Sequence, residues 1–264
     1  MAEVPLPGGN TTGAVLIDGV IHKRASPWTP TVHALLRYLE EAGFGGAPRA
    51  LGFDSSGREM LSYLPGETIG DRMPWPAWVS ADSMLAQVGQ WLRRLHDLTA
   101  GFRPPAGERW FIGGVMRPGL IAGHQDAAPY NAVVDGGRLA GFCDWDIAGP
   151  SSREWDLAFS MLSWVPLAPG SSDPPGPSDA ASAGGPDAGE RSRRFHLLLD
   201  AYGFEGDREV FGSVVPARAR RQAGVIRRMA AAGDPACAAL LPIAGLLESS
   251  AVDAEALPRG FWLR

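Results

Sequence analysis

Apolar residues recur at two different periods in this chain, and the change from one to the other falls near residue 65. Before it, short apolar runs alternate with turn residues. VPLPGGNTTGAVLI, from Val4 to Ile17, reads as strand, glycine-rich turn, strand. Asp18-Gly19 is a two-residue hairpin signal, because both positions tolerate positive φ, and VIHKRA is the return strand, with Lys23 near its end. Thr29-Pro30 predicts a helix start, with the hydroxyl as cap and the proline in the first turn. Val32, Leu35, Leu36 and Leu39 share one face of that helix, which runs to about Ala42 and is stopped by Gly43. RALGF, DSSG and REMLSYL make a further hairpin. Pro65-Gly66-Glu67 breaks the pattern, which places a first lobe at 1–64 and a second at 65–264.

Beyond that break the period is mostly helical. Ser80 or Asp82 caps a helix reaching about Leu98, with Leu85, Val88, Leu92 and Leu95 inward. AVV, DGGR and LAGF interrupt as a short hairpin. Helical patterns resume from Arg153 to Trp164, from about Arg191 to Tyr202, and in two long segments after Asp207. Pro216 predicts a break in the first of these, because a mid-helix proline removes a backbone donor and costs roughly 3 kcal/mol. Between Pro166 and Glu190, 15 of 25 residues are Pro, Gly or Ser. Such a segment cannot offset its ordering entropy and reads as a disordered surface insertion. No internal repeat interrupts the series. The fold class is α+β.

The chain has 264 residues, 45% hydrophobic and 20% charged, enough for two lobes and a sizeable core. Its net charge of -5 argues against a nucleic-acid or membrane-surface binder, which carries a basic excess. Two cysteines, Cys143 and Cys237, make neither a disulfide framework nor a zinc site and fit a reducing cytoplasm. MAEVPLPGGN has no basic n-region and no apolar h-region, so no signal peptide is expected. The longest apolar run, 236–247, is about half a membrane span. A soluble, cytoplasmic protein is the expectation. Of 24 basic residues, 23 are Arg and one is Lys, Lys23. A GC-rich genome produces such a bias, which singles out the lone lysine.

GHQDAAPYNAVVDGGRLAGFCDWD, Gly123 to Asp146, sets His124, Asp126 and Asn131 before the short hairpin and Asp144 and Asp146 after it. A carboxylate, a carboxamide five residues on and a second carboxylate across a hairpin can converge on one cavity. Oxygen ligands of this kind suit Mg²⁺, which keeps several waters and takes the rest from substrate phosphates. A carboxylate left free of the metal accepts the proton of an attacking hydroxyl. With a strand lysine, these are the parts of a phosphoryl-transfer site.

HQDAAPYN, FCDWD and REWDLAF resemble the aminoglycoside phosphotransferase family, small-molecule kinases with the protein-kinase-like fold. The resemblance extends over nearly the whole chain outside 166–190 and is more specific in the second lobe than in the first. It implies a small antiparallel-sheet lobe with one helix, followed by a larger, mainly helical lobe. By position it implies Asp126 as catalytic base, His124 as the residue that shapes its loop, and Asn131 and Asp144 as Mg²⁺ ligands. Asp156 would be a structural acid near the catalytic loop, and Lys23 the phosphate-binding lysine. GGNTTG, with Gly8, Gly9 and Gly13, falls at the nucleotide loop. SYLPGE, with Ser62, Tyr63 and Leu64, falls at the hinge that takes adenine. The implied cofactors are ATP and Mg²⁺, and the implied partner is a small-molecule hydroxyl substrate.

Plainer readings stay open beside these. GGNTTG is neither a Walker loop nor G-x-G-x-x-G and fits a plain turn. His124 also reads as a hydrogen-bonding core residue, Asp146 as a helix cap, Cys143 as a small apolar filler, and the Arg run at 218–228 as a solvated helix face. One departure matters. Kinase-like folds pair the strand lysine with a Glu on the first-lobe helix, and TVHALLRYLEE puts Val32 or His33 there; Glu40 substitutes only if the helix is shifted. That departure supports an alternative, a nucleotide-binding pseudokinase with a regulatory role, against which the intact Asp126, Asn131 and Asp144 argue. A metal-dependent hydrolase built on His124 and Asp126 would need further ligands, and His22, His33, His96 and His196 show no such spacing. Asp200, Glu205, Glu248 and Asp253 line a cationic sugar site or are ordinary surface. Neither the acceptor nor the oligomeric state is readable here.

Overall fold

The computed structural model describes residues 3–6, 13–70, 72, 74–167 and 187–263. Their contacts divide into two compact units, the first holding residues up to 76 together with 91–156, the second 77–90 with 157 onward.

In the first unit β1 (Val4–Pro5), β2 (Val15–Ile17), β3 (Val20–Lys23), β4 (Ala50–Phe53) and β5 (Glu59–Ser62) form one antiparallel sheet in the order β1-β2-β3-β5-β4. Asp18 and Gly19 turn β2 into β3 with φ of 49° and 81°, the conformation expected of this hairpin. The register of β3 on β5 sets Lys23 directly opposite Glu59. α1 (Thr29–Glu41) buries Val32, Leu35, Leu36 and Leu39, each contributing roughly 2 kcal/mol by leaving water. Its N-cap is Trp28, not Thr29. Thr29 lies one residue inside the helix, and its hydroxyl turns back to accept from the Ser26 N–H at 2.9 Å.

α2 (Asp82–Thr99) fully buries Leu85, Val88, Leu92 and Leu95. β6 (Ile121–Gly123), β7 (Ala132–Asp135), β8 (Arg138–Phe142) and β9 (Gly149–Ser151) form two ribbons, β7 with β8 and β6 with β9. The β7–β8 hairpin is the expected one. The β6–β9 pair was not expected, since β6 is three residues long and buried throughout, so no alternation marks it. Glu67 bridges Val134 by two backbone hydrogen bonds of 2.8 and 2.9 Å. α3 (Arg153–Trp164) begins after Ser152, whose hydroxyl accepts from the Trp155 N–H at 3.2 Å.

The second unit carries α4 (Ala188–Tyr202), α5 (Arg208–Ala231), α6 (Pro235–Ala239), α7 (Leu241–Glu255) and α8 (Arg259–Trp262). α4 starts earlier than the sequence pattern indicates, because Asp187 caps it by accepting from the Glu190 N–H. Leu167 is buried. The expected insertion at 166–190 is therefore structured at both ends, and residues 168–186 lie outside the described residues. α5 runs unbroken through Pro216, against expectation. The residue four before it is Gly212, whose bare Cα lies against the Trp262 ring, where a Cβ would sit 2.7 Å away. Phe211, Val215, Pro216 and Ala219 are buried along this helix, and that burial outweighs one lost backbone bond. Arg218 is also buried, over the Phe159 ring at 4.7 Å, so the Arg run is not wholly a solvated face. No described helix is long and apolar enough to cross a membrane.

Candidate active site

β6 delivers the chain to His124. Gly123 is required there, since a Cβ would lie 2.7 Å from the Asp156 carboxyl. Asp156, in the first turn of α3, accepts from the His124 N–H at 3.1 Å and the Gln125 N–H at 2.6 Å, and pairs with His96 Nε2 at 2.9 Å. Burial works against its charge, but the hydrogen bonds from His96 and the Gln125 N–H hold it below the usual carboxylate range. With both backbone amides held, Gln125 adopts φ 63°, a conformation uncommon outside glycine and kept only where surroundings enforce it.

The His124 ring is fully buried. Its Nδ1 accepts from the Asp126 N–H at 3.2 Å, so Nε2 carries the hydrogen donated to the Cys143 carbonyl at 3.0 Å. Burial lowers its pKa from 6.5 to about 4, opposed by Asp156. The ring is neutral, and both its nitrogens are used in tying the loop to the strand end. A group whose folded pKa lies below its unfolded one stabilises the fold fully above the unfolded value and ceases to do so as pH falls through the folded value. The shift of 6.5 to about 4 is worth roughly 3 kcal/mol. The urea midpoint is therefore expected to fall steadily between pH 7 and pH 4, and a flat profile over that range would contradict the buried neutral ring.

Asn131 ends a 3₁₀ turn, Pro129–Asn131. Its Nδ2 donates to the Asp126 carbonyl at 3.0 Å and to Asp126 Oδ2 at 2.8 Å, which leaves the amide oxygen as the group able to face a cation. The Asn131 carbonyl accepts from the Cys143 N–H at 2.9 Å, so the two ends of the β7–β8 hairpin meet. That is why the polar residues flank a hairpin: closing it sets Asn131, which holds Asp126, against Cys143, the residue before Asp144. Asp144 is half exposed with φ 56°. Burial, with Asp144 adding to it, pushes the Cys143 thiol up to about 12, which suits a filler and not a nucleophile. Asp126 Oδ1 accepts from the exposed Tyr130 hydroxyl at 2.6 Å, a contact the sequence reading missed.

Lys23 is buried at the end of β3, with Nζ 2.8 Å from Asp146, 3.5 Å from Glu59 and 3.8 Å from Asp144. Burial would lower its pKa, but the three carboxylates outweigh this and hold the ammonium charged. Burial, helped by Asp144, raises the Asp146 carboxyl above its ordinary range while Lys23 pulls it down. Asp146 binds the lysine and caps no described helix, since the next one, α3, begins after Ser152. Glu40 does not reach Lys23 either, since it pairs with Arg49 at 3.2 Å on the surface. His33 occupies the helix position expected for Glu, and its Nε2 lies 3.0 Å from Glu59 Oε2.

Of the proposed nucleotide-loop glycines, Gly13 has φ 60°, while Gly8 and Gly9 lie outside the described residues. Ser62, Tyr63 and Leu64 line a groove of about 460 Å³ with Leu36, Phe44 and Arg49, whose walls do not include Lys23 or Asp126. The remaining histidines are engaged elsewhere, His22 with Asp54 and His196 with Arg208. Among the described residues no three His, Cys, Asp or Glu side chains form a metal cluster. One carboxylate and one amide oxygen are a hard, sparse donor set that fits Mg²⁺ completed by phosphate and water.

No family model matches the chain. Its sequence is 36% identical over 206 residues to the trifolitoxin immunity protein of Rhizobium leguminosarum bv. trifolii, covering 76% of this chain and 74% of that protein. Its structure is similar to that of amicoumacin kinase in complex with AMP-PNP and Ca²⁺, with TM-score 0.62 at 11% identity over 97% of this chain and 89% of the other. A choline/ethanolamine kinase family protein from Mesorhizobium loti gives TM-score 0.58 at 17% identity, over 96% and 92%. The GDP complex of aminoglycoside 2'-phosphotransferase-IIIa gives 0.58 at 13%, over 96% and 93%. The fold is the two-lobed, protein-kinase-like α+β fold that these proteins share.

Proposed function

The chain belongs to the family of the trifolitoxin immunity protein, and on that footing, with the site described above, we propose that it is an ATP-dependent phosphotransferase acting on a hydroxyl of a small molecule. The observation that carries this is a chain of contacts over three segments, the loop of Asp126 and Asn131, the strand end at Cys143-Asp144 that the Asn131 carbonyl holds, and β3 with Lys23. Asn131 bonds Asp126, and Asp144 lies 3.8 Å from Lys23. Asp126 Oδ1 is the proton acceptor, and the Tyr130 hydroxyl on it takes the place an acceptor hydroxyl would use. Lys23 offsets phosphate charge. Asn131 and Asp144 would hold Mg²⁺, which when bound neutralises phosphate oxygens. His124, Asp156 and His96 keep the loop rigid, so the transfer rests on positioning and electrostatics. The relative is named for immunity to a toxin; on the reading proposed here the acceptor is a toxin-like molecule that phosphorylation disarms, in the cytoplasm where ATP is available.

A second reading, a nucleotide-binding pseudokinase with a regulatory role, is favoured by His33 standing where the helix glutamate is expected. Calorimetry with MgATP, followed by an ADP-release screen of aminoglycosides and other hydroxyl-bearing antibacterials, separates the two. Compound-dependent ADP release supports the transferase. MgATP binding with no release across the panel favours the second reading, and absence of MgATP binding sinks both.

A further inference from the structure

His33 stands where the helix glutamate is expected, yet a buried carboxylate lies beside the lysine. Glu59 is the direct cross-strand partner of Lys23, in the register His22–Met60, Lys23–Glu59. Both side chains are buried, and a buried carboxylate is costly unless paired. One oxygen of Glu59 is held by His33 Nε2 at 3.0 Å. The other faces Lys23 Nζ at 3.5 Å and has no hydrogen-bond partner of its own. His33 is fully buried on α1 and stacked on Phe53, with ring centroids 5.1 Å apart, so its ring is fixed in place.

On its other side Lys23 faces Asp146 at 2.8 Å and Asp144 at 3.8 Å. The ammonium is thus drawn two ways, toward the sheet by Glu59 and toward the hairpin end by the two aspartates. We propose that Glu59, oriented by His33, is the positioning residue for Lys23, and that from the sheet side it opposes the pull of the Asp146 hydrogen bond and of Asp144 on the ammonium. The inference rests on the phosphotransferase reading. Where kinase-like sites place this carboxylate on a helix, here the sheet register supplies it. The lysine–carboxylate pair is then set by strand pairing, and α1 contributes through the His33 contact.

The test uses the full chain and an acyl-phosphate ATP probe, which labels a lysine beside the nucleotide phosphates. Lys23 is the single lysine in the sequence, so labelling reports one site. Glu59→Gln is expected to raise KM for ATP and lower the MgATP-protected labelling rate by about 10- to 100-fold, the usual worth of a charge-assisted contact, with a smaller change in kcat. His33→Gln, which keeps a donor for Glu59, is expected to stay within a few-fold of wild type, and His33→Ala to fall between. His33→Glu combined with Glu59→Gln returns a carboxylate from the helix and is expected to recover most of the labelling. Circular dichroism melting confirms that each variant is folded. Wild-type labelling and KM in folded Glu59→Gln, or no recovery in the folded double variant, overturn the proposal. A wild-type protein that binds no MgATP instead removes the transferase reading on which the proposal stands, and the proposal with it.

Discussion

Asp126→Asn is expected to lower turnover by about 10²- to 10⁴-fold, the usual cost of losing a general base, while leaving MgATP affinity within about twofold. Asparagine is the informative substitution. Asp126 accepts from Tyr130 on one oxygen and from Asn131 on the other. An amide keeps one of these acceptors and nearly the same shape, so the loop held by Asp156 stays in place. Alanine would strip both contacts and release Asn131, mixing loss of the base with loss of a metal ligand. Calorimetry with MgATP and ADP release in the presence of an acceptor measure the two halves. Full turnover in Asp126→Asn would falsify the assignment of the base. Equal losses of binding and turnover would place Asp126 on the nucleotide instead.

Much of the scaffold that holds this site was legible in the chain. Helical period located α1 and α2, because Leu35 and Leu39 on one and Leu85, Val88, Leu92 and Leu95 on the other form single buried faces. Two-residue turns located the hairpins at Asp18-Gly19 and before Arg138. The β6–β9 ribbon was not legible, because three buried residues carry no period. Pro216 misled for the opposite reason. Local chemistry forecast a break, and packing on a helix bearing Gly212 four residues earlier overrode it.

In the candidate site, neighbours set by a short motif are legible in the sequence and those set by tertiary contact are not. Asp126 and Asn131 meet within one loop, and the hairpin that follows returns the chain to the Asn131 carbonyl at Cys143, next to Asp144; both links are local. Asp146 reads as a cap from sequence because its partner, Lys23, is 123 residues away. Glu59 was passed over because it follows Arg58 at a loop end, where a charge is unremarked. One signal was present: Glu59 has the same strand parity as Leu61, which is buried. A carboxylate on the inward face of a strand needs a partner, and β-pairing supplied Lys23.

Asp144→Asn is expected to abolish the preference for MgATP over metal-free ATP. Asp144 contributes the one carboxylate in the proposed donor set, with the amide of Asn131 as its companion. Loss of a residue that merely supports a metal ligand costs about 10- to 100-fold in affinity, and loss of the ligand itself at least as much. The backbone should tolerate the change, since Asp144 has φ 56° and asparagine is among the residues that accept that region. The sign for metal-free ATP is the reverse. Asp144 lies 3.8 Å from Lys23 and repels phosphate when no cation covers it, so removing its charge should leave affinity for free ATP unchanged or raised. General misfolding would weaken both forms together. Calorimetric titrations with ATP in EDTA and in excess Mg²⁺ give the two affinities. A variant that still prefers MgATP by the wild-type factor would move the metal away from Asp144.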